Sequence, residues 1–87
     1  MRHYAPNAAL RLNGITPEAG ELLLGFGQVV GDMTLSATGD LSEAAANLFD
    51  HIRSLDTRTT RIAVAPIPEH GIGAAINDRL TRAAEKR

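Results

Sequence analysis

The side chains able to do acid–base or metal chemistry in this 87-residue chain are three histidines and ten carboxylates, with no cysteine. Without cysteine there is no disulfide, no thiolate metal site and no thiol nucleophile. His3, His51 and His70 are scattered, none in a metal-ligand spacing and none with a carboxylate at the helical offset a zinc-protease helix uses. His51 lies next to Leu48 and Ile52 at the edge of an apolar stripe, as a helix boundary residue does. No nucleophile–histidine–carboxylate pattern stands out for hydrolysis. The sequence therefore assigns no catalytic residue and no metal ligand.

Anion chemistry has better-placed candidates. Ala37-Thr38-Gly39-Asp40 and Pro68-Glu69-His70-Gly71-Ile72-Gly73 each lead from an apolar strand-like run into a helical pattern. A helix N-terminus offers free N–H groups and the positive end of the dipole. Ligands of open α/β sheets gather beyond the carboxyl ends of the strands, where such loops lie. Thr38, Gly39, His70, Gly71 and Gly73 are the candidate anion-binding residues. Glu69 would repel a phosphate, and loops of this kind are routine in α/β units whatever they bind. The run Gly25-Phe26-Gly27-Gln28-Val29-Val30-Gly31 resembles a dinucleotide fingerprint, but its spacing is off by one and it leads into a strand rather than a helix, so turn glycines are the better account.

These loops need elements to hold them. Ala8 to Asn13 alternates, with Leu10 and Leu12 opposite Arg11 and Asn13, which predicts a short strand. Glu21 to Phe26 is a continuous apolar run, as in a strand covered on both faces. Met33 to Ser36 alternates again. From Asp40 to Leu55, Leu41, Ala44, Ala45, Leu48, Phe49, Ile52 and Leu55 recur at helical spacing, with Asp40 as cap and Glu43 three residues on. Arg61 to Ile67 reads as a central strand stopped by Pro66 and Pro68. Gly71 to Glu85 is a second helix facing inward through Ile72, Ala75, Ile76, Leu80 and Ala83, with Asp78 and Arg82 as an outward i,i+4 pair. The strand at 33–36, the first helix and the strand at 61–67 form a βαβ unit. The earlier connections, Ile15–Ala19 and Gln28–Asp32, are shorter than the dozen or so residues of a parallel crossover, so the first strands are expected to pair antiparallel or not be neighbours. The fold class is α/β, a small mixed sheet of about four strands with two main helices, in two or three layers.

Composition sets the outer bounds. The chain is 44% apolar and 22% charged with a net charge of −1, which suits one domain of modest stability. No run of ~18 apolar residues spans a membrane, and the N-terminus lacks the apolar region of a secretory signal, so a cytoplasmic location is expected. Residues 12–52 carry six carboxylates and no Lys or Arg, whereas Arg53, Arg58, Arg61, Arg79, Arg82, Lys86 and Arg87 follow. With three aromatic residues, Tyr4, Phe26 and Phe49, and acidic interruptions at Asp56, Asp78 and Glu85, this pattern argues against direct binding of nucleic acid.

From Asp40 to Ala84 the chain strongly resembles the C-terminal domain of two-domain threonylcarbamoyl-AMP synthases, the Sua/YrdC translation-factor family. The residues that carry it are Gly39-Asp40-Leu41, Ala44-Ala45-Ala46-Asn47-Leu48-Phe49, Ile52-Arg53-Ser54-Leu55-Asp56, Ile62-Ala63-Val64, and Pro66-Ile67-Pro68-Glu69-His70-Gly71-Ile72-Gly73 through Ala74-Ala75-Ile76-Asn77-Asp78-Arg79-Leu80. Arg2-His3-Tyr4-Ala5-Pro6 is similar to the end of that family's interdomain linker. The resemblance covers most of the chain and is weakest between residues 13 and 35.

The resemblance implies residues 1–7 as the end of a linker and 8–87 as a Rossmann-like domain, although the missing helix between the first two strands departs from the family's pattern. It implies an enzyme that condenses threonine, bicarbonate and ATP into threonylcarbamoyl-adenylate with release of pyrophosphate, for modification of the adenosine beside certain anticodons. In the family, ATP and magnesium bind a YrdC-like catalytic domain, for whose motifs this chain has no match. What carries over is a non-catalytic accessory domain, detached from its enzyme, with no cofactor of its own and with the catalytic domain as partner. The linker passes the active site in the family, so His3, Tyr4 and Pro6 are the expected contacts to a nucleotide or the partner domain. A free-standing nucleotide- or anion-binding module is the alternative.

Overall fold

The computed structural model describes residues 5–85 and has the element order β1 (Ala9–Leu12), β2 (Leu22–Gly25), β3 (Met33–Thr34), α1 (Leu41–Asp56), β4 (Arg61–Val64) and α2 (Ile72–Ala84). Each element falls inside the segment that its hydrophobic period predicts, except that α1 runs one residue further, to Asp56. α1 begins where Asp40, with extended backbone, accepts hydrogen bonds from the Ser42 and Glu43 N–H groups. α2 begins at Gly71, whose backbone (φ 55°, ψ −130°) suits glycine. Pro66 and Pro68 lie in the segment that follows β4.

The four strands form one sheet in the order β1-β4-β2-β3. All three pairings are parallel, with Leu10 opposite Ile62, Ile62 opposite Leu22, and Leu24 opposite Met33. Alternation along the strands sends Leu10, Leu22, Leu24, Ile62 and Val64 to one face. There they pack with Ala44, Leu48, Ile52 and Leu55 of α1 and Ile76 and Leu80 of α2 in a single core. Both helices therefore cover the same face, in two layers.

The α/β class, the four strands and the two helices agree with the sequence, but the sheet is parallel rather than mixed. The antiparallel contact among the described residues is an isolated bridge between Phe26 and Val29. β1 and β2 are not neighbours, because β4 lies between them, yet they run in the same direction. The expectation of antiparallel or non-adjacent strands holds for this pair in its second form. For β2 and β3, which are adjacent and parallel, it fails.

Both short links work by lying flat on the face that carries no helix. Nine residues join Leu12 to Leu22, and an extended stretch of that length reaches about 30 Å. The return path is about 7 Å down the strand, since Leu12 is level with Val64 and Leu22 with Ile62, and about 10 Å across two strand spacings, so no helix is needed. The link crosses β4 at its smallest side chain, where a Cβ on Gly14 would lie 3.2 Å from the Ala63 Cβ. It is strapped down by bonds to its own carbonyls, from Arg11 to Thr16 (2.9 Å), Arg61 to Ala19 (3.0 Å) and Thr59 to Gly20 (2.9 Å). The second link, 26–32, folds back over β2 at two glycines. A Cβ on Gly25 would lie 2.1 Å from the Val29 carbonyl oxygen, and one on Gly31 would lie 2.3 Å from that of Leu23. Asp32 then brackets Leu23, donating its N–H to the Leu23 carbonyl and accepting the Leu23 N–H on its carboxylate. The glycine run is thus a fold-back over a sheet, and no helix follows it as a dinucleotide fingerprint requires.

Candidate functional site

The two loops that the sequence singled out come together at the carboxyl end of the sheet. A Cβ on Gly73, in the first turn of α2, would lie 3.4 Å from Leu41 Cδ1, in the first turn of α1. A Cβ on Gly27, in the fold-back, would lie 4.0 Å from the Gly39 Cα. Thr38, Gly39, His70, Gly71 and Gly73 therefore belong to one rim. Thr38, His70 and Gly71 are exposed on it. Gly73 is buried, and a Cβ there would lie 1.9 Å from the Pro68 carbonyl oxygen, so its glycine is required by packing.

The two helix starts differ in electrostatics. At α1 the positive end of the helix is already met by protein carboxylates. Asp40 caps it, and buried Ser36 accepts the Asp40 N–H (2.9 Å) while donating to Glu43 Oε1 (2.7 Å). The reciprocal half of the capping box thus runs through the Ser36 hydroxyl, with Thr38 Oγ1 3.3 Å away. A second anion there would face two carboxylates. α2 has no side-chain cap and no acidic residue in its first turn. Its Gly73 and Ala74 N–H groups turn back to the His70 and Gly71 carbonyls at 2.9 and 3.2 Å. Of the two starts, α2 is the one that no side chain caps. Asn47 and Asn77 tie each helix to the strand before it, donating to the Leu35 and Ile67 carbonyls at 2.9 Å each.

Pro6 is elsewhere. It precedes β1, so it sits at the amino end of the sheet, the far end from these loops. It is buried there and, with Ala5, lines a groove of about 350 Å³ between α1 and α2. His3 and Tyr4 lie outside the described residues. The entry segment is anchored by Asp56, the last residue of α1, whose two carboxylate oxygens accept the Asn7 and Ala8 N–H groups at 3.1 and 2.8 Å. A carboxylate at a helix C-terminus opposes the dipole, and two N–H donors offset that cost. Helical periodicity treats Asp56 as one more exposed residue, and its position against the dipole was the one signal that could have marked it.

Sequence reasoning also missed the ion pair on the helix-free face. Arg11 donates to both oxygens of Glu21 at 2.8 Å, and Glu21 also accepts the Glu18 N–H at 2.8 Å. The Glu21 side chain is 2% exposed. The Arg11 hydrogen bonds hold its carboxyl down to about 2 against the opposing effect of burial. This pair fastens the ends of the first link. Among the described residues no group of three or more His, Asp or Glu side chains could hold a metal ion, and no helix is long and apolar enough to cross a membrane.

A parallel sheet with helices on one face, an uncapped helix start at its carboxyl rim and an apolar groove at the opposite end define a small α/β domain. The chain belongs to the threonylcarbamoyl-AMP synthase C-terminal domain family, whose model matches residues 1–85. No curated protein and no solved structure matches it.

Proposed function

We propose that this domain is the accessory C-terminal part of an enzyme that makes threonylcarbamoyl-adenylate for tRNA modification in the cytoplasm, and that it regulates or caps a separate adenylate-forming catalytic domain. The observation that carries this reading is the family match over residues 1–85. The fold is compatible with it, since Asp40, Ser36, Arg11, Glu21 and Asp56 are used in capping, strapping and anchoring the domain itself. ATP, magnesium, threonine and bicarbonate are bound by the catalytic domain in this reading, and Pro6 belongs to the segment leading to it. The test is to add the domain in trans to the YrdC-like catalytic domain and follow pyrophosphate release from ATP. The rate should change in proportion to the complex formed; an unchanged rate with no association removes the proposal.

The uncapped start of α2 favours a second reading, an anion site of the domain's own at His70 and Gly71. It requires heat on calorimetric titration of the isolated chain with magnesium-ATP, weakened by His70→Ala. A flat titration at millimolar nucleotide disposes of it.

A further inference from the structure

We propose that the groove between α1 and α2 is the face this domain turns toward the catalytic domain, and that it receives an apolar side chain flanked by a carboxylate. This rests on the accessory-domain reading above and specifies the surface through which it acts.

The first support is where the chain enters. The family is a C-terminal domain, so a catalytic partner in the same polypeptide lies on the N-terminal side. Chain arriving from that side reaches the fold at Ala5 and Pro6, which form part of the groove wall. Asp56 fixes that approach by holding the next two backbone N–H groups. A domain tethered there is held at high effective concentration next to the groove.

Charge is the second support. The groove has an apolar lining from Leu48, Phe49, Ile52, Leu80 and Ala83. Among the rim charges Arg82 and Asp78 satisfy each other at 3.1 Å. Arg79 instead lies over the Phe49 ring, 5.1 Å from its centroid, and has no carboxylate partner among the described residues. An aromatic ring beside a guanidinium at the edge of an apolar depression is the composition of an interface centre. A partner matched to it supplies an apolar group for the depression and an acid for Arg79.

The competing surface is the helix-free face, where Ile15 and Val30 are 64% and 75% exposed. They stand on the two links, whose chain is closed onto the sheet by its own hydrogen bonds, whereas the described entry residues Ala5 and Pro6 line the groove.

The chain contains no cysteine, so one introduced thiol places a photocrosslinker at one site. Arg82→Cys puts it on the groove rim and Val30→Cys on the opposite face. With the catalytic domain supplied as a separate polypeptide at up to millimolar concentration, crosslinking should come from position 82 and not from 30. Arg79→Glu, at an exposed site, should leave the circular dichroism spectrum unchanged and weaken association roughly tenfold, whereas Ile15→Asp should change it by less than about twofold. Crosslinking from position 30 as strong as from 82, or an Arg79→Glu affinity within about twofold of the parent, overturns the groove and leaves the accessory reading standing. No association of the parent chain at all overturns both.

Discussion

Glu21 and Ser36 show how single polar groups set the stability of this small domain. Glu21 is held to about 2 by the Arg11 fork, so its ionised form is favoured in the folded state. That contribution is complete above the ordinary carboxylate value of 4.5 and is lost as pH falls from there toward 2. Glu21→Ala should cost about 1–2 kcal/mol in urea unfolding at pH 7. The gap to the parent should narrow as pH is lowered through that window, and a gap that stays constant to pH 2.5 would remove the ion pair as its cause. Ser36 is buried, 1% exposed, and serves both the Asp40 N–H and the Glu43 carboxylate. Ser36→Ala leaves two partners short of a hydrogen bond at once. It should cost about 1–3 kcal/mol in thermal or urea unfolding, more than Asp40→Ala at about 1 kcal/mol.

At the scale of elements, the helices and β4 were legible because each announces itself by a period and a stop: Leu48, Ile52 and Leu55 on one stripe, and Pro66 and Pro68 after β4. The pairing sense of the early strands was not legible. The rule that short links imply antiparallel strands assumes a helix must fill the crossover. Here Gly14 over Ala63, and Gly25 against Gly31, let bare backbone lie on the sheet, and nothing in their spacing distinguishes that from an ordinary turn. For the candidate site, the loops at Thr38–Asp40 and His70–Gly73 could be read from strand-to-helix transitions. The groove could not, because it depends on Phe49 and Arg79 meeting across two helices. The glycines give a sharp comparison. Gly25→Ala drives a Cβ into backbone at 2.1 Å and should lower stability by about 2–4 kcal/mol or prevent folding. Gly39→Ala meets nothing within 4 Å and carries only its positive φ of 78°, so it should cost about 1–2 kcal/mol. Paired thermal melts check the ranking, and equal losses would show that the fold-back does not need a bare Cα at position 25.

For the molecule as a whole, the two-layer plan divides the labour between its ends. The carboxyl rim holds the two helix starts, one closed by its own carboxylates and one without a side-chain cap, while the amino end holds the anchored entry segment and the groove. A ligand at the α2 start and a partner at the groove would therefore bind to opposite ends, and saturating one should leave the affinity of the other unchanged within about twofold. The sheet order has a further consequence, for biosynthesis. β1 and β2 each pair with β4 and not with one another, so the two outer pieces of the sheet have no template until residues 61–64 exist. A nascent chain cut after Thr60 keeps the β2–β3 fold-back and α1, which pack on one another, but lacks the central strand that joins β1 to them and the second helix. Such a truncation should be protease-sensitive and lack cooperative melting. The domain should therefore gain cooperative stability only once β4 has left the ribosome, and until then its β2 run, Leu22-Leu23-Leu24, lacks its central neighbour and should be a target for chaperones.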